Sequence, residues 1–194
     1  TVGLGGEVLQ EQSVHRALET DMKLGDLALE LQRRCPDATV LGSDFCEEML
    51  SHARERGLRE TRVADAIDLP FEDGMFDVAT AAFGLRNMEN WRDGLVEMGR
   101  VVREGGKVLV LDFSLPRGLL RRPYVFYLNK VLPRIAGMIT GERDAYEYLA
   151  GSIDRFPSGE SMLTLFESAG LLDPEWIPLS GGIASIYIGT TPPT

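Results

Sequence analysis

Cysteine is scarce in this chain. Cys35 and Cys46 are the two it has, they form no CxxC pair, and they make no disulfide framework. They read as the reduced thiols of an intracellular protein, and no metal site is expected. Histidine is equally rare: His15 and His52 stand alone, with no HExxH and no Ser-His-Asp pattern, and both read as structural or solvated. A basic excess is missing too. Twenty Lys and Arg face thirty Asp and Glu, a net charge of -10, which argues against a nucleic-acid surface. No apolar run approaches the roughly 18–20 residues of a membrane-spanning helix. Thr1-Val-Gly-Leu-Gly-Gly6 has no basic residue and is not read as a signal peptide, and the chain does not begin with Met. The 194 residues are expected to form one domain in the cytoplasm.

What is present is an alternation of strand and helix. Residues 1–13 read as a polar arm. Strands are expected at Val14–Leu18, Thr39–Ser43, Thr61–Asp65, Phe76–Phe83 and Val108–Phe113. Helices are expected at Gly25–Arg34, Glu47–Arg56 and Trp91–Val102, with a turn at Glu104-Gly-Gly-Lys107. This order predicts an α/β fold, a parallel sheet with helices on both faces. Ser158 is a plausible N-cap for a helix over Glu160–Ala169. Two final strands, Glu175–Leu179 and Ile183–Gly189 joined through Gly181-Gly182, predict a hairpin that adds an antiparallel strand.

Leu115 to Asp154 breaks the alternation. It is aromatic (Tyr124, Phe126, Tyr127, Tyr146, Tyr148), and from Arg117 to Arg143 it holds six basic residues against one acid, Glu142. It reads either as a helical cap with a solvated basic face, or as a lid over an aromatic or apolar ligand. The basic segment 117–143 could also contact anionic lipid at the inner membrane face.

In an open α/β sheet, ligands bind beyond the carboxyl ends of the strands. Arg86 and Asn87 follow the central apolar run there. An arginine so placed can orient an anionic oxygen, or form a surface salt bridge to Glu89 or Asp93. Asp44 ends the second strand, 19 positions after Gly25. It can accept from ribose hydroxyls, or with Glu47 form a capping box. Asp65 ends the third strand, as an adenine acceptor or an ordinary turn aspartate. Asp26 suits a helix N-terminus. The first turn, Glu19-Thr-Asp-Met-Lys-Leu-Gly-Asp26, should be glycine-rich for close backbone approach, yet it keeps only Gly25.

With these residues in view the chain resembles the class I S-adenosylmethionine-dependent methyltransferases. Within them it is similar to the ubiquinone/menaquinone biosynthesis C-methyltransferases. The resemblance rests chiefly on Phe83-Gly-Leu-Arg-Asn87, followed by Glu97-Met98, Arg100-Val101, Gly105-Gly106 and Leu111 to Ser114. Supporting matches are Gly25 to Leu31, Asp44-Phe45, Ala66 with Leu69-Pro-Phe71, Phe76-Asp77, Ala145-Tyr146, Ser152-Ile153, Phe156-Pro157, Ala169-Gly170, and Gly182-Ile183 with Gly189-Thr190.

The resemblance implies a Rossmann-like seven-stranded, mostly parallel sheet whose last strand is antiparallel, with a lid over 115–154. S-adenosylmethionine is the implied cofactor, bound by Glu19, Gly25, Asp44, Phe45, Asp65, Ala66 and Phe83. The implied substrate is a polyprenyl hydroquinone, bound by Arg86, Tyr124, Tyr127 and Tyr146. Arg86 and Asn87 are the implied catalytic residues, with no metal. A homodimer is left open.

Two departures stand out. Asp21 and Lys23 replace family glycines, and a Cβ at Lys23 should block the cofactor, so weak or absent affinity is expected. Residues 1–13 do not match the family's longer N-terminal arm. A methyltransferase for another small molecule, or a non-catalytic methyltransferase-like domain, are the alternatives.

Overall fold

The apolar runs pair into one seven-stranded sheet of order β3-β2-β1-β4-β5-β7-β6. The computed structural model describes residues 14–20, 25–116, 118–132 and 143–193. Its strands are β1 (Arg16–Thr20), β2 (Thr39–Asp44), β3 (Glu60–Val63), β4 (Phe76–Ala82), β5 (Val102–Phe113), β6 (Leu172–Leu179) and β7 (Ala184–Thr190). Its helices are α1 (Asp26–Arg34), α2 (Glu47–Glu55), α3 (Trp91–Val101), α4 (Arg121–Phe126), α5 (Arg143–Arg155) and α6 (Glu160–Ser168). The first five strands are parallel, and β7 runs antiparallel between β5 and β6.

Successive strand residues point to opposite faces of a sheet, so two cores form. Leu18, Ala79, Val108 and Val110 face one side, against Leu95 and Met98 of α3 and Met162 and Phe166 of α6. Ala17, Val78 and Leu109 face the other, against Ala28 and Leu31 of α1 and Leu50 and Ala53 of α2. Asp77 ties β1 to β4: its Oδ2 accepts the backbone N–H groups of His15 and Arg16, each at 2.8 Å. The third, smaller cluster belongs to the lid, where Leu128 and Ile153 gather Phe113, Leu115, Tyr124, Leu132 and Leu149.

Three local expectations are corrected. The Gly105-Gly106 turn lies inside β5, as an irregularity where pairing steps from Phe76 with Val102 to Val78 with Lys107. Gly105 has φ +67°, and a Cβ on Gly106 would sit 2.6 Å from the Asp77 carbonyl oxygen. Ser158 does not cap α6. Gly159 holds that position at φ +62°, and its N–H donates to Tyr187 Oη at 2.8 Å, a bond that fixes the helix start to β7. Nor do Asp44 and Glu47 close a capping box: Cys46 is the N-cap of α2, and Glu47 pairs with Arg54.

The chain leaves β1 toward β2 on one side and leaves β4 toward β5 on the other, so a crevice opens between the carboxyl ends of β1 and β4. Among the described residues no helix is long and apolar enough to cross a membrane.

Candidate active site

β4 ends where Phe83 takes φ +61°, a left-handed backbone that a bulky residue adopts only under constraint. The constraint is visible on both sides of the residue. Its N–H still completes the ladder to the Leu111 carbonyl at 2.7 Å, and its own carbonyl is turned back to accept from Arg86 Nη1 at 2.7 Å. Asn87 Nδ2 reaches the same carbonyl at 3.4 Å. A single 3₁₀ turn, Leu85–Asn87, thus folds under the strand end, closed by Asn87 N–H on the Gly84 carbonyl at 2.8 Å.

That turn buries Arg86. Its side chain is 2% exposed and pairs with Asp112 Oδ1 at 2.6 Å, across from β4 on β5. The surface bridge to Glu89 or Asp93 is therefore not what forms. The Arg86 Cζ also stands 5.1 Å from the Phe113 ring centroid, and Phe113 lies 4.8 Å from the Phe83 ring. Burial pushes the Asp112 carboxyl up, while the Arg86 cation beside it pulls the other way. Asp112 and Phe113 were missed from sequence. The signal was there: one acid ends an otherwise apolar strand on the neighbour of β4.

A cleft of about 240 Å³ lies next to this turn. Four of the candidate residues, Phe45, Asp65, Ala66 and Asn87, line it together with Ala64, Ile67, Met88 and Glu89. Phe45 is 75% exposed and lines the cleft rather than the core. Asp65 is exposed and makes the turn contact, with Oδ1 accepting Ile67 N–H at 3.1 Å. Its other oxygen has no partner among the described residues.

Asp44 divides its two oxygens. Oδ1 accepts Cys46 N–H at 2.8 Å, and Oδ2 has no partner among the described residues. Burial raises its pKa, against the pull of the Cys46 N–H. Gly25 adopts φ +68° as the N-cap of α1, a conformation that favours glycine at that position. Glu19 is buried, and its Oε2 accepts Ala28 N–H at 2.6 Å. Loss of solvent pushes its carboxyl up to about 8, helped by Asp26 and opposed by the Ala28 bond. Beside it Thr20 is fully buried, with an Oγ1 that has no hydrogen-bond partner among the described residues. Asp21 and Lys23 lie outside the described residues, as do residues 1–13.

The lid contributes unevenly. Tyr124 is half-buried in the cluster that includes Phe113, which brings it to the edge of the Arg86 site. Burial raises its phenol pKa, with a further push from Tyr127. Tyr127 is outside that cluster and exposed. Tyr146 lies on α5, with its side chain outside the described residues. Of the basic segment 117–143, Arg117 and residues 133–142 are likewise outside them. A second groove, of about 590 Å³, runs along Arg121, Arg122, Val125, Phe126, Lys130 and Asp154.

The comparisons with known proteins agree on one class. The model of the ubiE/COQ5 methyltransferase family matches residues 8–191. The ubiquinone/menaquinone biosynthesis C-methyltransferase UbiE of Bdellovibrio bacteriovorus is 44% identical over 175 residues, 86% of this chain and 74% of that relative. The demethylmenaquinone methyltransferase of Thermus thermophilus is 40% identical over 189 residues, 94% of this chain and 85% of the relative. Among solved structures, a SAM-dependent methyltransferase of Thermotoga maritima superposes with a TM-score of 0.69 at 21% identity. The match covers 95% of this chain and 86% of that one, a likeness of fold.

Proposed function

The chain belongs to the ubiE/COQ5 methyltransferase family, and from that premise we propose that it methylates a ring carbon of a polyprenyl hydroquinone with S-adenosylmethionine. The observation that carries the reading is the convergence at the strand ends: a cleft lined by Phe45, Asp65, Ala66 and Asn87 adjoins the turn that buries Arg86. The described residues of the cleft suit the cofactor. Asp44 has a carboxylate oxygen without a partner for a ribose hydroxyl. Asp65 and Ala66 line a cleft suited to an adenine, with Phe45 along one wall. Glu19 on β1, Gly25 at the start of α1 and Phe83 beyond β4 belong to the neighbouring strand ends, and Thr20 Oγ1 is a buried hydroxyl without a partner among the described residues. When bound, the sulfonium supplies an electrophilic methyl group for an electron-rich carbon.

The chain's own task is to make the acceptor electron-rich. A ring hydroxyl that gives up its proton pushes electron density onto the adjacent carbon, and donors aimed at the developing oxyanion favour that loss. Arg86 supplies those donors, with Asn87 beside it. Tyr124, half-buried in the cluster that includes Phe113, is the lid residue that would flank the ring. The exposed Leu119 and Phe126, flanked by Arg121 and Arg122, suit contact with an anionic membrane surface where a prenylated substrate resides.

The test is methyl transfer from labelled S-adenosylmethionine to reduced demethylmenaquinone in vesicles, with a simple catechol as the competing acceptor. Transfer to the quinol supports the reading. Transfer to the catechol alone replaces it with a different small-molecule acceptor. Asp21 and Lys23 stand where the family has glycines, so isothermal titration should give a Kd weaker than micromolar, and the double change Asp21→Gly, Lys23→Gly should tighten it.

A further inference from the structure

One carboxylate holds Arg86 at both ends. Asp112 Oδ1 takes the guanidinium through Nη1 at 2.6 Å, and Oδ2 accepts the Arg86 backbone N–H at 3.4 Å. The second contact on the guanidinium, the Phe83 carbonyl at 2.7 Å, also falls on Nη1. Nε and Nη2 together form the guanidinium's other two-donor edge, and neither has an acceptor among the described residues. Nε is fully buried in that condition. Buried N–H donors are nearly always satisfied, so an orphan of this kind calls for a reason. The ring of Phe113 lies along the guanidinium, and Phe113 belongs to the lid cluster with Tyr124. The guanidinium with its unused edge therefore stands beside a ring that belongs to the lid cluster.

We propose that Asp112 is the positioning residue of this site. It anchors the guanidinium by Nη1 and so reserves the Nε–Nη2 edge for the ring oxygen of the acceptor. The identity of that oxygen rests on the acceptor reading above. As the oxygen ionises, its O–H electrons stay on it, its proton passes to water, and the two reserved donors receive the negative charge. Asp112 touches none of the reacting atoms. Its effect is geometric, delivered through Arg86.

Geometry and mere charge balance predict opposite signs. If Asp112 holds Arg86 in place, Asp112→Asn loosens the donors and a bound phenol becomes harder to ionise. If it only neutralises Arg86, the same change unmasks the cation and the phenol ionises more easily. A purely structural role lowers thermal stability and leaves the ionisation of bound phenol where it was. The probe is 4-nitro-1-naphthol, whose absorbance reports ionisation directly, titrated with pH in the presence of the full chain.

The wild type is expected to lower the naphthol's apparent pKa by about one pH unit, the size a charged hydrogen-bond donor gives. Asp112→Asn should remove most of that shift. Asp112→Glu keeps the charge but displaces it by one methylene; it should also lose most of the shift, and it carries the test should the Asn variant fail to fold. A wild type that does not bind or shift the naphthol, or a variant with an unmoved or larger shift, overturns the proposal. Failure of methyl transfer to the quinol with the naphthol result intact ends the acceptor reading alone. Transfer to the quinol with an unmoved Asp112 variant ends this proposal alone.

Discussion

Replacing Glu19 by Gln should remove a large pH dependence from the stability of this protein. Glu19 lies in β1 with 1% of its surface exposed, and its carboxyl is pushed up from 4.5 to about 8 by burial. Between those two values the folded chain keeps a proton that the unfolded chain has lost. The unfolded state then binds fewer protons, so stability falls as pH rises through the window. At about 1.36 kcal/mol per pH unit, the roughly 3.5 units between the two values set a ceiling of about 5 kcal/mol. Gln has no proton to give up, and its amide oxygen can still accept the Ala28 N–H that Glu19 accepts at 2.6 Å. Urea unfolding of both proteins at pH 5, 6, 7 and 8, followed by circular dichroism, measures the effect as a difference that cancels the other titrating groups. The Gln variant should gain on the wild type steadily with pH, by several kcal/mol across the series. Two curves that stay parallel would show that the carboxyl titrates at its ordinary value, and the argument from burial would fail.

Asp44→Asn should weaken S-adenosylmethionine binding about tenfold or more in calorimetry, since the charged acceptor proposed for the ribose is lost while the backbone bond to Cys46 can persist. Asn90 caps α3 by accepting from Arg92 N–H at 3.1 Å and Asp93 N–H at 3.4 Å, so Asn90→Ala should cost about 1 kcal/mol in chemical denaturation. Gly106→Ala places a Cβ 2.6 Å from the Asp77 carbonyl and 2.9 Å from the Arg103 carbonyl, both backbone atoms. A loss of about 1–3 kcal/mol is expected, and an unchanged melting temperature would contradict the close packing of that turn.

Much of the path to the site was legible along the chain. The short apolar runs and the amphipathic helices identified the strands and helices because both patterns are written in local sequence. The end of β4 was recognisable as a candidate edge because the apolar run stops at Gly84 and a polar Arg-Asn pair follows. Asp44 was read as the end of the second strand and is the end of β2, whereas β3 stops at Val63, two residues short of Asp65. The turn at Gly159 was not, because a positive φ tied to a bond with Tyr187, 28 residues away, leaves no mark beside Ser158.

Arg86 shows where local information stops. Sequence placed a cation at the edge and supplied nearby acids, Glu89 and Asp93, as its partners. Tertiary structure chose Asp112 instead, 26 residues on, because β5 lies beside β4 and brings that carboxylate under the turn. Burial makes the choice matter: a guanidinium out of water needs its counter-charge close, and only the sheet order says which one is near. Composition and spacing by themselves determined the α/β alternation and the candidate edge. Strand order, the reversed φ of Phe83 and the donors left free on Arg86 came only from packing, since each depends on residues that meet in space and not in sequence.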